Sequence, residues 1–161
     1  MNISNKTIEV LKEAGWYEGR KIDISENVKF LEERGFEVFE SAKRFMEEFG
    51  ELNIEVEKGG FRSDGSKQIA KHTTCIKKVI GIGSSRHFGL SDYIDYEVIP
   101  IGALDNLGVI LYISETGKIF TSIGWEGDTI WEAWDNIILE KGGLIWSKYE
   151  ESLIYQGDNK I

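Results

Sequence analysis

The residue types best suited to chemistry are the single cysteine, Cys75, and the two histidines, His72 and His87. His72 lies three residues before Cys75, so one helical turn would bring the imidazole within reach of the thiol as an activating base. The same two side chains could supply metal ligands, but a structural zinc site needs four and the sequence has no second such pair. We therefore interpret Cys75 as a small buried thiol and His72 as a surface histidine, without a catalytic or metal-binding role.

Residues 81–85, GIGSS, invite comparison with a phosphate-binding loop. They lack the Gly-Lys-Ser/Thr ending of a P-loop and the third glycine of a dinucleotide-binding turn, so a helix N-cap at Ser84 or Ser85 explains them better. The chain has five tryptophans, which could form a stacking platform. Because Trp131 and Trp134 flank one amphipathic helix, core packing is the simpler explanation. We expect no cofactor and no enzymatic activity.

Charge is distributed unevenly along the chain. Residues 1–57 carry 8 Lys and Arg against 14 Asp and Glu, residues 58–89 carry 7 against 1, and residues 90–161 carry 4 against 13, for a net charge of −9. Residues 58–89, here called the basic belt, could lie on the acidic remainder or form a separate face towards a partner. The basic residues of this belt are Lys58, Arg62, Lys67, Lys71, Lys77, Lys78 and Arg86. A nucleic-acid-binding module that uses the belt is therefore one hypothesis to weigh.

Hydrophobic periodicity predicts three short helices at the start of the chain, each followed by glycine. They are expected at residues 5–14, at residues 25–34, and around the apolar residues Ala42, Phe45, Met46 and Phe49. Asp128 is predicted to cap a further helix over residues 129–141.

Strand patterns occupy the middle of the chain. Residues 53–57 alternate between polar and apolar, Gly59 and Gly60 are expected to form a turn, and residues 62–67 an exposed loop. Residues 108–113 and 118–123 predict a hairpin whose first strand is covered on both faces. The fold expected is α+β, a single domain with N-terminal helices packed on a mostly antiparallel central sheet and a C-terminal helix.

Length and composition agree with one ordinary domain. The 161 residues suffice for a sizeable core, and a single cysteine excludes an internal disulfide and fits a reducing cytosol. The N-terminus has no basic segment followed by an apolar run, and no apolar stretch approaches the roughly 20 residues of a membrane helix. We expect a cytoplasmic protein.

Two blocks of sequence carry a resemblance to a known family. The first is residues 13–20, EAGWYEGR, followed by residues 42–52, AKRFMEEFGEL; the second is residues 98–102, VIPIG, followed by the hairpin and a helix that contains WEA at residues 131–133. This order resembles the SUKH superfamily of bacterial immunity proteins, in its third immunity branch. The resemblance covers about residues 10–143 of a domain expected to span residues 1–161, and leaves residues 144–161 as a C-terminal extension.

The resemblance implies a non-enzymatic immunity protein that binds and neutralises a cognate polymorphic toxin, often a nuclease. The basic belt has no counterpart in the family pattern, so the identity of the partner is not carried over. A cytosolic scaffold or regulatory module built on the same fold is a further alternative. In either case the motif residues Trp16 and Arg20 are expected to be structural, with Trp16 against the third helix and Arg20 anchoring a loop.

Acidic loops in the second half of the chain are the expected partner-binding surface. Asp92, Asp95 and Glu97 precede the turn expected at Pro100, while Glu126 and Asp128 lie between the hairpin and the last predicted helix. In an antiparallel sheet the two loops could meet at one edge, where exposed carboxylates would attract a basic toxin. Ordinary solvated carboxylates are the alternative interpretation.

Overall fold

A computed structural model describes residues 3–79, 93–94 and 97–158 of the chain. These residues form the helices α1 Asn5–Glu13, α2 Ser25–Glu33, α3 Glu40–Phe49, α4 Ile130–Ile138 and α5 Trp146–Asp158. The strands are β1 Asn53–Phe61, β2 Lys67–Thr73, β3 Val98–Leu104, β4 Val109–Ser114, β5 Ile119–Thr121, β6 Gly124–Gly127 and β7 Leu144–Ile145.

The three opening helices lie where the periodicity of the sequence predicts them. α1 begins after Ser4, whose hydroxyl accepts a hydrogen bond from the Lys6 N–H at 3.2 Å. α3 buries the four apolar residues whose helical spacing predicts it, Ala42, Phe45, Met46 and Phe49. These buried faces pack on the sheet as the amphipathic pattern requires.

The seven strands form one sheet in sequence order, and every neighbouring pair is antiparallel. This confirms the α+β fold with N-terminal helices on an antiparallel sheet. The hairpin predicted over residues 108–123 is present as β4 and β5. β2 pairs with β3 only at Thr73 and Ala103, so the hairpin of β1 and β2 is joined to the other five strands at a narrow point.

Both faces of the sheet are covered, as the apolar sequence of β4 predicts. Leu111 and Ile113 of β4 belong to the main core, which the first four helices share. Ile110 and Tyr112, which point to the opposite face, pack in a second cluster with Trp146 of α5. The C-terminal segment therefore covers the face of the sheet that the N-terminal helices leave open.

β1 is longer than the sequence predicts, which corrects the turn expected at Gly59 and Gly60. The register with β2 shifts between Glu57 and Phe61, so the two glycines lie in a bulge of the strand. The chain reverses only after Phe61, where the Arg62 N–H donates to the Ser66 carbonyl at 2.8 Å.

Pro100 lies inside β3, which corrects the turn expected there. The register with β4 shifts between Pro100 and Gly102, and a bulge is one of the few places where a sheet tolerates proline. A Cβ atom on Gly102 would lie 2.4 Å from the Thr73 carbonyl oxygen of β2. Only glycine allows the two strands to approach this closely.

The opening motif holds the loop after α1 onto the end of α3. Trp16 is buried, and its ring stacks on Phe49 with the ring centroids 6.3 Å apart. Nε1 of Trp16 donates to the Glu48 carboxylate at 3.0 Å, and Nη1 of Arg20 donates to the Glu48 carbonyl at 2.7 Å. This confirms the structural roles predicted for Trp16 and Arg20.

Candidate functional site

Strands from both ends of the sheet line one cleft of about 360 Å³, here called the Glu126 cleft. Val56 and His72 reach it from β1 and β2, and Glu126 and Leu144 reach it from β6 and β7. Strands at opposite ends of the strand order can share a cleft only if the sheet curls. Curling therefore brings together residues that are about 70 positions apart in the sequence.

Glu126 enters the cleft from a β-bulge near the end of β6. The register with β5 shifts by one residue between Trp125 and Gly127, which leaves Glu126 without an opposing residue of its own. The Glu126 carbonyl accepts a hydrogen bond from Nδ2 of Asn136 on α4 at 2.7 Å, so the helix satisfies a backbone group at the bulge. Bulges of this kind re-aim side chains and are frequent beside functional sites.

The Glu126 side chain is largely buried in the cleft and has no polar partner in the described part of the protein. The side chain is 9% exposed, and among the described residues its carboxylate has no hydrogen-bond or ion-pair partner. Burial, aided by the negative charge of Asp105, raises the pKa of Glu126 to about 7. The expectation of an exposed carboxylate at this position is wrong, because the bulge places the side chain in the cleft.

His72 lies on β2 and is 7% exposed, which corrects the prediction of a surface histidine. Its Nδ1 accepts a hydrogen bond from the Asp105 N–H at 3.1 Å. Burial lowers the pKa of His72, although the negative charge of Asp105 opposes this effect. The imidazole in the cleft is therefore neutral at neutral pH.

The turn between β3 and β4 supplies Asp105 to the cleft and has an unusual backbone. Asp105, Asn106 and Leu107 have φ angles of +51°, +58° and +72°. Residues other than glycine rarely adopt this left-handed region in succession. Nδ1 of His72 accepts a hydrogen bond from the N–H of Asp105, and the Lys71 carbonyl accepts one from the N–H of Asn106 at 2.9 Å. Such strained backbone tends to persist at functional sites.

Cys75 lies apart from this cleft. Its Sγ is 3.9 Å from the Leu52 carbonyl oxygen and 3.8 Å from Oδ1 of Asn53, and no hydrogen bond joins it to His72. Burial raises the pKa of the Cys75 thiol, which keeps it protonated and weakly nucleophilic. Within residues 3–79, 93–94 and 97–158, no group of three or more His, Cys, Asp or Glu side chains could hold a metal ion. The glycine-containing segment at residues 81–85 lies outside the described residues.

A second cleft, here called the Asp128 cleft, lies between α3, the β4–β5 turn and the start of α4. Asp128 is exposed there, and its Oδ1 accepts a hydrogen bond from Nε1 of Trp125 at 3.0 Å. The N-cap of α4 is Thr129, whose hydroxyl accepts from the Glu132 N–H at 3.2 Å. The cap predicted at Asp128 is therefore wrong by one residue.

A protein-family model described as SUKH-3 immunity protein matches residues 3–140 of the chain. The chain belongs to the SUKH-3 immunity protein family. No curated protein and no solved structure matches it. The family match confirms the resemblance carried by the opening motif and the VIPIG segment, and it supports a role as an immunity protein. It ends before β7 and α5, which complete the second face of the sheet.

The acidic residues predicted to bind a partner fall into different parts of this SUKH-3 protein. Glu97 is exposed just before β3, and Asp128 is exposed just after β6. The strand pairing places these two positions at the same end of the sheet, with β4 and β5 between them, about 14 Å apart at ordinary strand spacing. Glu126 occupies its own cleft, while Asp92 and Asp95 lie outside the described residues.

Three of the six basic residues in the described part of the basic belt pair with exposed acidic side chains of the SUKH-3 domain. Three of its lysines form ion pairs, Lys58 with Asp105 at 3.7 Å, Lys67 with Glu57 at 3.4 Å and Lys77 with Glu26 at 3.2 Å. This arrangement favours the interpretation in which the belt lies on the acidic remainder. No helix in the described ranges is both long and apolar enough to cross a membrane.

Sequence reasoning missed that His72, Asp105 and Asn136 belong to one site. The tetrapeptide at residues 105–108, DNLG, contains residue types that tolerate left-handed backbone, and this local signal could have marked the turn. The bulge at Glu126 has no comparable signal, because it exists only in the pairing of β6 with β5.

Proposed function

We propose that this SUKH-3 immunity protein acts by binding rather than by catalysis, and that it neutralises a cognate protein toxin with a basic contact surface. Membership of the family is the observation that supports the proposal. The excess of 13 acidic over 4 basic residues in positions 90–161 supports the basic character of the partner. A nuclease, which binds phosphates through basic side chains, is the class of toxin that fits such a surface.

Exposed carboxylates at one end of the sheet are the proposed first point of contact. Glu97 and Asp128 are both exposed at that end, and Asp92 and Asp95 lie close in sequence to Glu97. Negative charges that face a basic partner accelerate association through long-range attraction, and salt screens this attraction. The four carboxylates would therefore act mainly on the rate of association.

The direct test begins with the open reading frame beside the gene, which we expect to encode a secreted protein that ends in a toxin domain. Co-expression of this chain is expected to restore growth to cells that produce the toxin domain, and the two purified proteins are expected to form a stable complex. A chain that neither restores growth nor binds the domain would contradict the proposal.

Charge reversal tests the surface. Glu97→Lys combined with Asp128→Lys, and separately Asp92→Lys with Asp95→Lys, is expected to slow association with the toxin domain about tenfold at low salt. Measurements over a salt series are expected to show the difference shrinking as ionic strength rises. Glu33→Lys on α2 is the control, because Glu33 is exposed and lines neither cleft. Association rates that match the wild type, with the same salt dependence, in folded variants would rule out this surface.

A further inference from the structure

We propose that the Glu126 cleft receives one arginine side chain of the partner protein, with its guanidinium group paired to the Glu126 carboxylate and its stem packed on the apolar walls. The inference rests on the proposed function, since it names how the toxin is gripped after the exposed carboxylates have attracted it. Four observations carry it: a bulge that presents an unpartnered carboxylate, an excess of negative charge, apolar walls, and exposed isoleucines among the lining residues.

The charges in the cleft call for a cation. Asp105, Glu126 and Glu140 line the cleft, and Lys58 is the lysine among its lining residues. Lys58 is already paired with Asp105 at 3.7 Å, and the buried His72 is neutral at neutral pH. Glu126, 9% exposed and without a hydrogen-bond partner in the described part of the chain, is therefore the group that a positive charge would satisfy.

The walls suit a long side chain with a charged end. Val56, Ala70, Leu104, Ile137 and Leu144 line the cleft and offer apolar surface to a methylene stem. Its volume of about 360 Å³ lies at the small end of the range for ligand pockets, which suits one side chain better than a large cofactor.

Two exposed isoleucines extend the site towards a protein partner. Ile123 and Ile145 also line the cleft, and they are 58% and 57% exposed. Interface hot spots are enriched in arginine and are surrounded by contacts that exclude water, which these two isoleucines would provide. Arginine fits better than lysine because its planar, weakly hydrated guanidinium group pairs with buried carboxylates and packs on apolar surface. A free small cation would leave the two isoleucines exposed. We therefore infer that the positive charge is supplied by a protein.

This recognition is coupled to proton release. Free Glu126 has a pKa raised to about 7 by burial and by Asp105, and only its ionised form can pair with a guanidinium group. The other charged or titratable groups that face it in the cleft are Lys58, His72, Asp105 and Glu140. Protonation of His72 at low pH would add a positive charge and oppose binding as well. Affinity for the arginine is therefore expected to rise with pH between about 5.5 and 8.

The experiment uses the full chain and two peptides that differ in one charge, acetyl-Gly-Gly-Arg-Gly-Gly-amide and its citrulline counterpart. In an NMR titration of the ¹⁵N-labelled protein at pH 8, the arginine peptide is expected to give saturable shifts at the amides of Glu126, His72 and Leu144. The citrulline peptide is expected to give none. The affinity for the arginine peptide is expected to fall about tenfold or more at pH 5.5 and in Glu126→Gln, while the matched variant Glu115→Gln, exposed in the Asp128 cleft, binds as the wild type does.

Three results would each overturn the inference: no saturable shift with the arginine peptide at pH 8, equal binding of the citrulline peptide, or undiminished binding by Glu126→Gln. The titration needs no toxin, so it separates the two proposals. If the chain protects cells from the toxin but does not bind the arginine peptide, only the proposed role of the Glu126 cleft is contradicted. If the chain binds the arginine peptide but does not protect cells, only the proposed function is contradicted.

Discussion

The Glu126 cleft and the Asp128 cleft contain carboxylates only two residues apart in the chain, yet the two side chains are in opposite environments. Glu126 is 9% exposed and, among the described residues, lacks a hydrogen-bond partner, whereas Asp128 is exposed and accepts a hydrogen bond from Trp125. The bulge in β6 separates them, because it directs Glu126 into a cleft between the two ends of the curled sheet. Residue type and sequence position therefore say little here about the role of an acidic side chain.

If both carboxylates contact a toxin as proposed, their different exposure implies that they contribute to binding in different ways. An exposed carboxylate interacts with a partner at long range and contributes little to the affinity of the final complex. A buried carboxylate contributes nothing at long range while it is protonated, but it discriminates strongly between a partner that supplies a positive charge and one that does not. A toxin would meet the first kind of group before the second.

The largest expected effect is the loss of the packing that supports both clefts. Trp134 of α4 is fully buried against Phe45 and Phe49, which line the Asp128 cleft, and it lies beside Ala133 and Ile137 on the same helix. Trp134→Ala is expected to lower the free energy of unfolding by about 3–5 kcal/mol in urea denaturation.

Tyr17→Ala is the control for this truncation, because Tyr17 is 58% exposed and its removal is expected to change stability by less than about 0.5 kcal/mol. Equal unfolding midpoints for Trp134→Ala and the wild type would show that α4 does not support the clefts in this way.

The second-largest expected effect is the gain in stability when the buried charge of Glu126 is removed. Its pKa is raised from 4.5 to about 7 in the folded protein, so ionisation there disfavours folding. The penalty is absent below pH 4.5 and complete above pH 7. Glu126→Gln is therefore expected to raise the free energy of unfolding by roughly 2–3 kcal/mol at pH 8, and by progressively less as the pH falls towards 4.5.

Glu115→Gln supplies the comparison from the other cleft, since Glu115 is exposed and its charge has no desolvation penalty to remove. Urea denaturation of both variants at pH 5 and pH 8 makes the measurement. A gain in stability that is the same at both pH values, or that appears equally in Glu115→Gln, would mean that Glu126 is not buried as a carboxylate.

Local periodicity was enough to predict the first four helices and the central hairpin, but it did not predict α5. The spacing of Phe45, Met46 and Phe49 specifies a buried helical face wherever that face packs, and the apolar run of β4 specifies a strand covered on both sides. The antiparallel arrangement followed from the order of these elements along the chain.

The candidate site could not be predicted in the same way, because it depends on register. Gly59, Pro100 and Glu126 were all assigned to turns or loops, and all three lie in or beside bulges. A bulge is defined by the pairing of one strand with its neighbour, so residues adjacent in sequence do not reveal it. The meeting of His72 with Glu126 further requires the sheet to curl, which is a property of all seven strands together.

The smallest expected effect sharpens the assignment of Asp128. If Thr129 is the N-cap of α4, Thr129→Ala removes the hydrogen bond that its hydroxyl accepts from the Glu132 N–H and is expected to lower the free energy of unfolding by about 1 kcal/mol. Asp128→Ala removes only an exposed contact with Nε1 of Trp125 and is expected to have the smaller effect. Urea denaturation of the two variants, with the double variant as a test of additivity, makes the measurement.

A larger loss of unfolding free energy in Asp128→Ala than in Thr129→Ala would show that Asp128 is the N-cap and that its carboxylate stabilises the fold. If Thr129→Ala has the larger effect, as predicted, Asp128 is not needed as a cap, and its exposed carboxylate in the Asp128 cleft is free to serve the proposed contact with a partner.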